Sequence, residues 1–426
     1  MRSTIVAGLT YAALLPFGAE GDLQADLDLV AAETSAKYNC TIAVSALVPD
    51  KKINVTSVAG KVSFLHGAPS TSPTEQFIWG SITKISTGSA ILRLVEEGKI
   101  TIDDTIPQYV DPMIAQMHSV DPDGFKYNSS EDLWGPEVAD VTIRHLATMS
   151  SGIPDFDTAK PWPPPPVDPL RATIYNNSAH DYLPPELFSL PWVATGKLEF
   201  KPGTKAFAYS STNFMLLGLI LAQQAGAASW MSYDQSSFMT PSVRHALPTV
   251  DYVKCGAPAD VTRLHGYDRT TYNGKNATIP GTDVVSVHGV FGGWTASDFT
   301  ATVADAAAFA YAVYGPNSDL LTPAMQQVMI PGDTMYGFAT FNLTGETGYA
   351  PPMGTAYGHI GATYGFDSML SYHPEIGATI AIASNLENDD QTHPSETLCL
   401  AFAAVKNAVS GTSDVCQYTK EGYYGG

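Results

Sequence analysis

Cysteine, basic charge and long apolar runs are all scarce in this sequence. The four cysteines, Cys40, Cys255, Cys399 and Cys416, show neither CxxC nor CxxH spacing, which excludes a zinc finger or ribbon. Lysine and arginine number 22 against 42 aspartates and glutamates, a formal net charge of -20 at pH 7. That balance repels phosphate backbones and acidic bilayers, so nucleic acid is excluded as a partner. No segment is long and apolar enough to read as a membrane span. Two catalytic signatures are also missing: the G-x-S-x-G elbow of an α/β-hydrolase and the H-E-x-x-H of a zinc peptidase. What is present is 426 residues with 44% hydrophobic content, enough for a large core and two structural lobes.

The first residues, MRSTIVAGLTYAALLPFG, carry Arg2, an apolar run from Ile5 to Leu15, and then Pro16 and Gly18. They predict a signal peptide over residues 1–20, the alternative being a buried N-terminal helix. Six glycosylation acceptor patterns, at Asn39, Asn54, Asn128, Asn176, Asn276 and Asn342, point to the same secreted, extracellular setting. In an oxidising compartment the cysteines can form two disulfides in three connectivities, or remain buried thiols. Cys399 with Cys416 is the preferred pair, because it pins the C-terminal tail to the preceding helix.

Further along, DLDLVAAETSAKY has helical spacing, and TIAVSALVPDKKINVTSVAGKV alternates like a hairpin around Pro49 and Asp50. From Ser81 the apolar residues Ile82, Ile85, Leu92 and Val95 recur at helical spacing, ending before Gly98, so Ser81 opens a helix. The long middle mixes helices and loops. It includes PWPPPPVDP at 161–169, an extended polyproline-type surface stretch. MYGFATFNL, GFDSMLSYHP and GATIAIASNL read as strands, followed by the helical SETLCLAFAAVKNAV. The expected architecture is α+β. Residues 21–80 and 326–426 form an α/β sheet domain flanked by the first and last helices, residues 81–325 form a mostly helical domain with long loops, and a cleft lies where the two meet.

Serine is a weak nucleophile without a neighbouring base. In WGSITK, Lys84 lies three residues after Ser81, on the same face of the helix one turn on. The partial positive charge at the helix N-terminus favours the alkoxide that develops on Ser81. Two later stretches are candidates to complete a site: YSSTNFMLLGLILAQQAG, with Tyr209 just before an apolar helix, and YGHIGATYGF, which opens a strand with His359 and Gly361.

These motifs, in this order, resemble the serine β-lactamase-like hydrolases of the class C type: class C β-lactamases, D-alanyl-D-alanine carboxypeptidases, D-aminopeptidases and family VIII carboxylesterases. WGSITK is similar to the family's S-x-x-K, YSSTNF to its Y-x-N and HIG to its K-T-G or H-T-G. EEGKITIDDTI, IRHLATMSSGIPDF and YGFDSMLSYHPEIGATIAIASN resemble its connecting segments, so the likeness runs from about Thr41 to Asn388. It implies a β-lactamase/transpeptidase-like fold in which Ser81 is acylated, Lys84 helps to deprotonate it, and Tyr209 is the base, as a phenolate lowered by Lys84 and His359. His359 would also orient substrate, and deacylation by water would need neither a metal nor a cofactor. The backbone N–H groups of Ser81 and Ala362 would form the oxyanion hole, and Ser211, Asn213 and Gly361 would contact substrate.

Two residues depart from the family pattern. Ser211 replaces the asparagine of Y-x-N, which weakens the case for peptide or β-lactam amides. His359 in place of lysine removes a permanent cation suited to a substrate carboxylate. The expected substrate is a small-molecule ester or amide, with carboxylesterase placed before D-peptidase and β-lactamase third. From another class, the alternative is a catalytically retired binding or assembly module. Trp294 is expected either as a wall of the acyl cleft or as a core residue, and Asp305 as a support of its helix. His66, His118, His145, His265 and His288 are read as ordinary structural residues. The sequence leaves the oligomeric state open.

Overall fold

A computed structural model describes residues 22–157, 167–205, 207–273 and 280–418. The N-terminal segment read as a signal peptide, the Asn276 acceptor and most of the polyproline stretch lie outside the described residues. Helix α1 (Leu23–Tyr38) is capped by Asp22, whose side chain accepts the Gln24 N–H. Strands β1 (Ile42–Val48) and β2 (Ile53–Ala59) form the expected hairpin, closed by the turn at Pro49–Lys51.

The principal sheet has six strands. With β3 (Phe341–Asn342), β4 (Tyr357–Thr363), β5 (Phe366–His373) and β6 (Ala378–Ser384), the order is β2-β1-β6-β5-β4-β3, antiparallel throughout. The run MYGFATFNL supplies only the two residues of β3. Its first half is instead a turn, in which the Gly337 N–H bonds to the Thr340 carbonyl and Ala339 adopts φ 57°.

Every residue of β5 and β6 is buried, so the sheet is covered on both faces. Consecutive residues of β5 identify the covers. Tyr372 packs on Tyr311 and Tyr314 of a helix from the middle of the chain, whereas His373 stacks on Phe402 of the last helix. That last helix is α7 (Thr392–Ser410), which packs with α1. The helix on the other face is α6 (Val303–Tyr314), so part of the middle segment belongs with the sheet. Thr302 caps it, and Asp305 accepts the N–H and hydroxyl of Thr249 at 2.8 and 2.6 Å.

The rest of the middle segment is helical and loop-rich. Here α2 (Thr83–Glu96) packs on α5 (Ser211–Gln224), which in turn meets α3 (Pro107–Val120). Twelve consecutive residues of α5, Ser211 to Ala222, are buried, which accounts for its unbroken apolar sequence. Helix α4 (Pro169–Asn176) stands at the cleft and is capped by Asp168. Cys399 and Cys416 form a disulfide, whereas Cys40 is a buried thiol and Cys255 an exposed one. Among the described residues no helix is long and apolar enough to cross a membrane.

Candidate active site

Ser81 sits in the single 3₁₀ turn Gly80–Ile82 that leads into α2. Two glycines allow this turn to press against the outer edge of β4. Gly80 has φ +52°, and a Cβ there would come within 2.7 Å of the Ala362 carbonyl oxygen. A Cβ on Gly361 would come within 2.1 Å of the Trp79 carbonyl oxygen, which accepts a hydrogen bond from Ser368 Oγ at 3.0 Å. Strand β3 pairs only with Tyr357 and Gly358, so the edge of β4 from His359 onward is left to the Ser81 turn. Ala362 thereby lies beside Ser81, and Gly361 supports the contact from beneath rather than lining the cleft.

Three sequence-predicted residues converge on one oxygen. Lys84 Nζ and Tyr209 OH each lie 2.8 Å from Ser81 Oγ. Lys84 also donates to the Ala296 carbonyl at 3.0 Å and lies 5.1 Å from the centre of the Tyr209 ring. It has no exposed surface, and burial pulls its ammonium down to about 7, although Asp155 and Asp157 pull the other way. A lysine in this state can be neutral near physiological pH, with a lone pair for the Ser81 hydroxyl proton.

The expected phenolate at Tyr209 is corrected. Burial is the largest influence on its phenol and raises the pKa, as do Asp155 and Asp157, while its bonds to Ser81 and Ser211 only partly offset this. Nor does His359 supply a cation, because burial and Lys84 depress it to about 3. The neutral ring donates from Nδ1 to the Ile360 carbonyl at 2.5 Å, its Nε2 accepts from the Tyr336 hydroxyl at 2.9 Å, and it lies behind Phe341, the ring on which Tyr209 stacks. Both residues hold the tyrosine wall; His359 does not line the cleft.

Burial corrects two further expectations, those for Asn213 and Ser211, and selects the core reading of Trp294. Asn213 is fully buried, accepting from Ser151 Oγ at 2.7 Å and donating to the Leu146 carbonyl at 3.2 Å, so it braces α5. Ser211 begins the same helix, its N–H bonded to Asp155 Oδ1 at 2.8 Å. Trp294 is a core tryptophan packed on Trp230, with φ 46°. Its turn directs the Ala296 carbonyl towards Lys84. The sequence reading missed that carbonyl, since a backbone acceptor leaves no side-chain signal. Several histidines gain partners: His145 completes a capping box with Thr142, and His265 and His288 lie 2.7 and 3.2 Å from Asp283 and Asp181.

Ser81, Tyr209 and Ala362 open onto a cleft of about 510 Å³. Phe156, Leu170, Ile174, Tyr182, Leu187 and Val290 give it apolar walls. Among the described residues its charged lining is four carboxylates, Asp157, Asp168, Glu387 and Asp389, and one guanidinium, Arg171, which is already bonded to Asp268 and Glu387.

Known proteins share this architecture. The chain is 29% identical over 170 residues to Protein flp of Staphylococcus aureus, a match covering 40% of this chain and only 27% of that protein's length. The D-amino acid amidase from Ochrobactrum anthropi SV3, solved with D-phenylalanine, superposes with a TM-score of 0.68 at 17% identity, covering 91% of this chain and 100% of the amidase. A penicillin binding protein from Bacillus halodurans gives 0.62 at 17% identity, over 88% and 99% of the two chains. The family model described as Beta-lactamase matches residues 28–404, a span that contains the sheet, the cleft and every group meeting at Ser81 Oγ, and the chain belongs to that family.

Proposed function

We propose that this protein is a secreted, glycosylated serine hydrolase that cleaves an ester, or an amide without a carboxylate, through an acyl-Ser81 intermediate, with carboxylesterase as the first reading. The observation that carries this is the pair of proton-bearing groups 2.8 Å from Ser81 Oγ at the mouth of the cleft. Neutral Lys84 takes the Ser81 proton as Oγ bonds to the substrate carbonyl carbon. The N–H groups of Ser81 and Ala362 receive the oxyanion. On collapse the leaving group departs with a proton from the Tyr209 phenol, which the Lys84 ammonium restores, and water then releases the acid.

Cleft charge supports the absence of a substrate carboxylate. Among the described residues its one cation is committed to protein carboxylates, and the rest of the charged lining is negative. The same carboxylates favour a free ammonium, which supports amino-acid amides as the second reading. Exposure of Asn39, Asn54, Asn128 and Asn176 supports glycosylation.

The test is intact-protein mass spectrometry after deglycosylation, with a fluorophosphonate or a penicillin, comparing wild type with Ser81→Ala. One adduct, absent from the variant, is expected. A panel of esters, D-amino acid amides and β-lactams then assigns the class. No adduct on a folded wild-type protein would select the binding-module reading.

A further inference from the structure

We propose that Arg171 is a positioning residue for acyl transfer, which through Glu387 holds the Tyr364–Gly365 turn, and with it the Ala362 end of β4, against the nucleophile. The inference rests on the hydrolase reading and adds to it a residue outside the three-residue motifs. Arg171 belongs to α4 and is buried at the cleft lining. Its Nη1 donates to Asp268 Oδ2 at 2.6 Å and Glu387 Oε2 at 2.7 Å, and its Nη2 donates to Glu387 Oε1 at 2.9 Å. A planar fork of this kind fixes both the position and the tilt of a carboxylate.

That carboxylate makes one further contact: Glu387 Oε2 accepts the Gly365 N–H at 2.9 Å. Gly365 is the second residue of the two-residue turn between β4 and β5, and the turn is tied in three more ways. Its carbonyl accepts the N–H of Tyr267, the neighbour of Asp268, at 3.0 Å. The Tyr364 hydroxyl donates to Asp157 at 3.3 Å, and the Tyr364 ring lies 4.6 Å from the Arg171 guanidinium. Gly365 itself has φ +83°, and a Cβ there would come within 2.7 Å of the Gly266 carbonyl carbon. The N–H, the carbonyl and the ring of the turn are therefore all held by groups that touch Arg171 or adjoin its partners. Two residues upstream of Tyr364 is Ala362, whose carbonyl packs on Gly80 beside Ser81. Displacing the turn displaces Ala362 relative to Ser81.

Stability alone is a weak reason for this cluster, because a buried ion pair can often be replaced by apolar side chains without loss. Directional hold on a strand end is what a guanidinium fork provides and a methionine does not. The same commitment to Asp268 and Glu387 leaves Arg171 poorly placed to receive a substrate carboxylate.

The experiment compares full-length wild type with Arg171→Met, Arg171→Lys and Glu387→Gln. It reads the thermal midpoint, steady-state kinetics on an ester that wild type hydrolyses, affinity for a boronic acid that mimics the tetrahedral intermediate, and hydrogen–deuterium exchange over residues 360–368. Folded Arg171→Met should lose about tenfold to a hundredfold in kcat, the scale of an ångström-sized misplacement, with KM nearly unchanged. Boronate affinity should fall in step, and exchange at the turn should quicken. Glu387→Gln, which keeps shape and one acceptor, should show a smaller loss. Unchanged kcat, boronate affinity and exchange in folded Arg171→Met would overturn the proposal, and so would an effect confined to KM. Should Arg171→Met not fold, Arg171→Lys and Glu387→Gln carry the same readouts. A wild-type protein that takes no Ser81 adduct sinks the hydrolase reading instead, and unchanged exchange in the variants would then remove the hold on the turn as well.

Discussion

Lys84 combines the position proposed for the general base with a stability cost. In an unfolded chain its ammonium titrates near 10.4, and in the folded protein burial lowers it to about 7. Between those values the unfolded chain binds the extra proton, so stability rises with pH across that window, and the penalty for the buried charge is fully present below about 7. Lys84→Met should therefore raise the thermal midpoint at neutral pH by roughly a few degrees while reducing acylation by about 10²-fold or more, as loss of a general base does. Scanning calorimetry on both proteins at several pH values checks the first effect, and burst kinetics with a chromogenic ester the second. Wild-type kcat/KM should rise with pH to a plateau, with its midpoint near 7.

At this scale the sequence was legible where spacing alone carries geometry. Ser81 and Lys84 meet because three residues of helix bring them to one face. Tyr209 was legible only through its motif context, since it reaches Ser81 across 128 residues of chain. Its protonation was not legible, because a phenol's pKa depends on what buries it. The same reason separates Asn213 and Trp294, which the fold buries, from Ala362, which it leaves at the cleft.

The decisive contact between elements is that of the 3₁₀ turn with the edge of β4, where two absent side chains set the separation. Gly361→Ala would force a methyl against the Trp79 carbonyl, 2.1 Å away, and against Ser368 Oγ, 2.3 Å away. We expect a stability loss of about 1–3 kcal/mol, the usual cost of overpacking, and a larger proportional loss of Ser81 labelling. Urea unfolding and fluorophosphonate labelling rates measure the two separately. The hairpin β1–β2 and the strands β5 and β6 were readable from alternation and turn residues. MYGFATFNL was not, since its apolar residues imitate a strand while the Gly337–Thr340 turn bends the chain to bring Phe341 behind Tyr209. Helix α6 could not be assigned to the sheet from its sequence, because an Ala-rich apolar helix fits a helical bundle equally well.

On the scale of the whole molecule, the net charge of -20 and the carboxylates of the cleft act in the same direction. Among esters of matched size, kcat/KM should fall in the order cationic, neutral, carboxylate-bearing. Raising the ionic strength should compress these differences, because screening acts on exposed charges. Equal rates for all three at low salt would remove electrostatics from the account of specificity.

The sheet joins residues that are far apart in the chain. β1 lies between β2 and β6, and the Thr41 N–H beside it bonds to Asn385 Oδ1, 344 residues later. Synthesis from the N-terminal side makes Ser81 and Lys84 well before the central strands β5 and β6, which lie beyond residue 365. Such non-local pairing is slow and leaves strand edges open while it is pending. Activity should therefore appear late and all at once during biosynthesis, with chaperones needed in the interval. A C-terminal truncation that removes β6 should leave Ser81 intact in sequence and abolish its fluorophosphonate labelling.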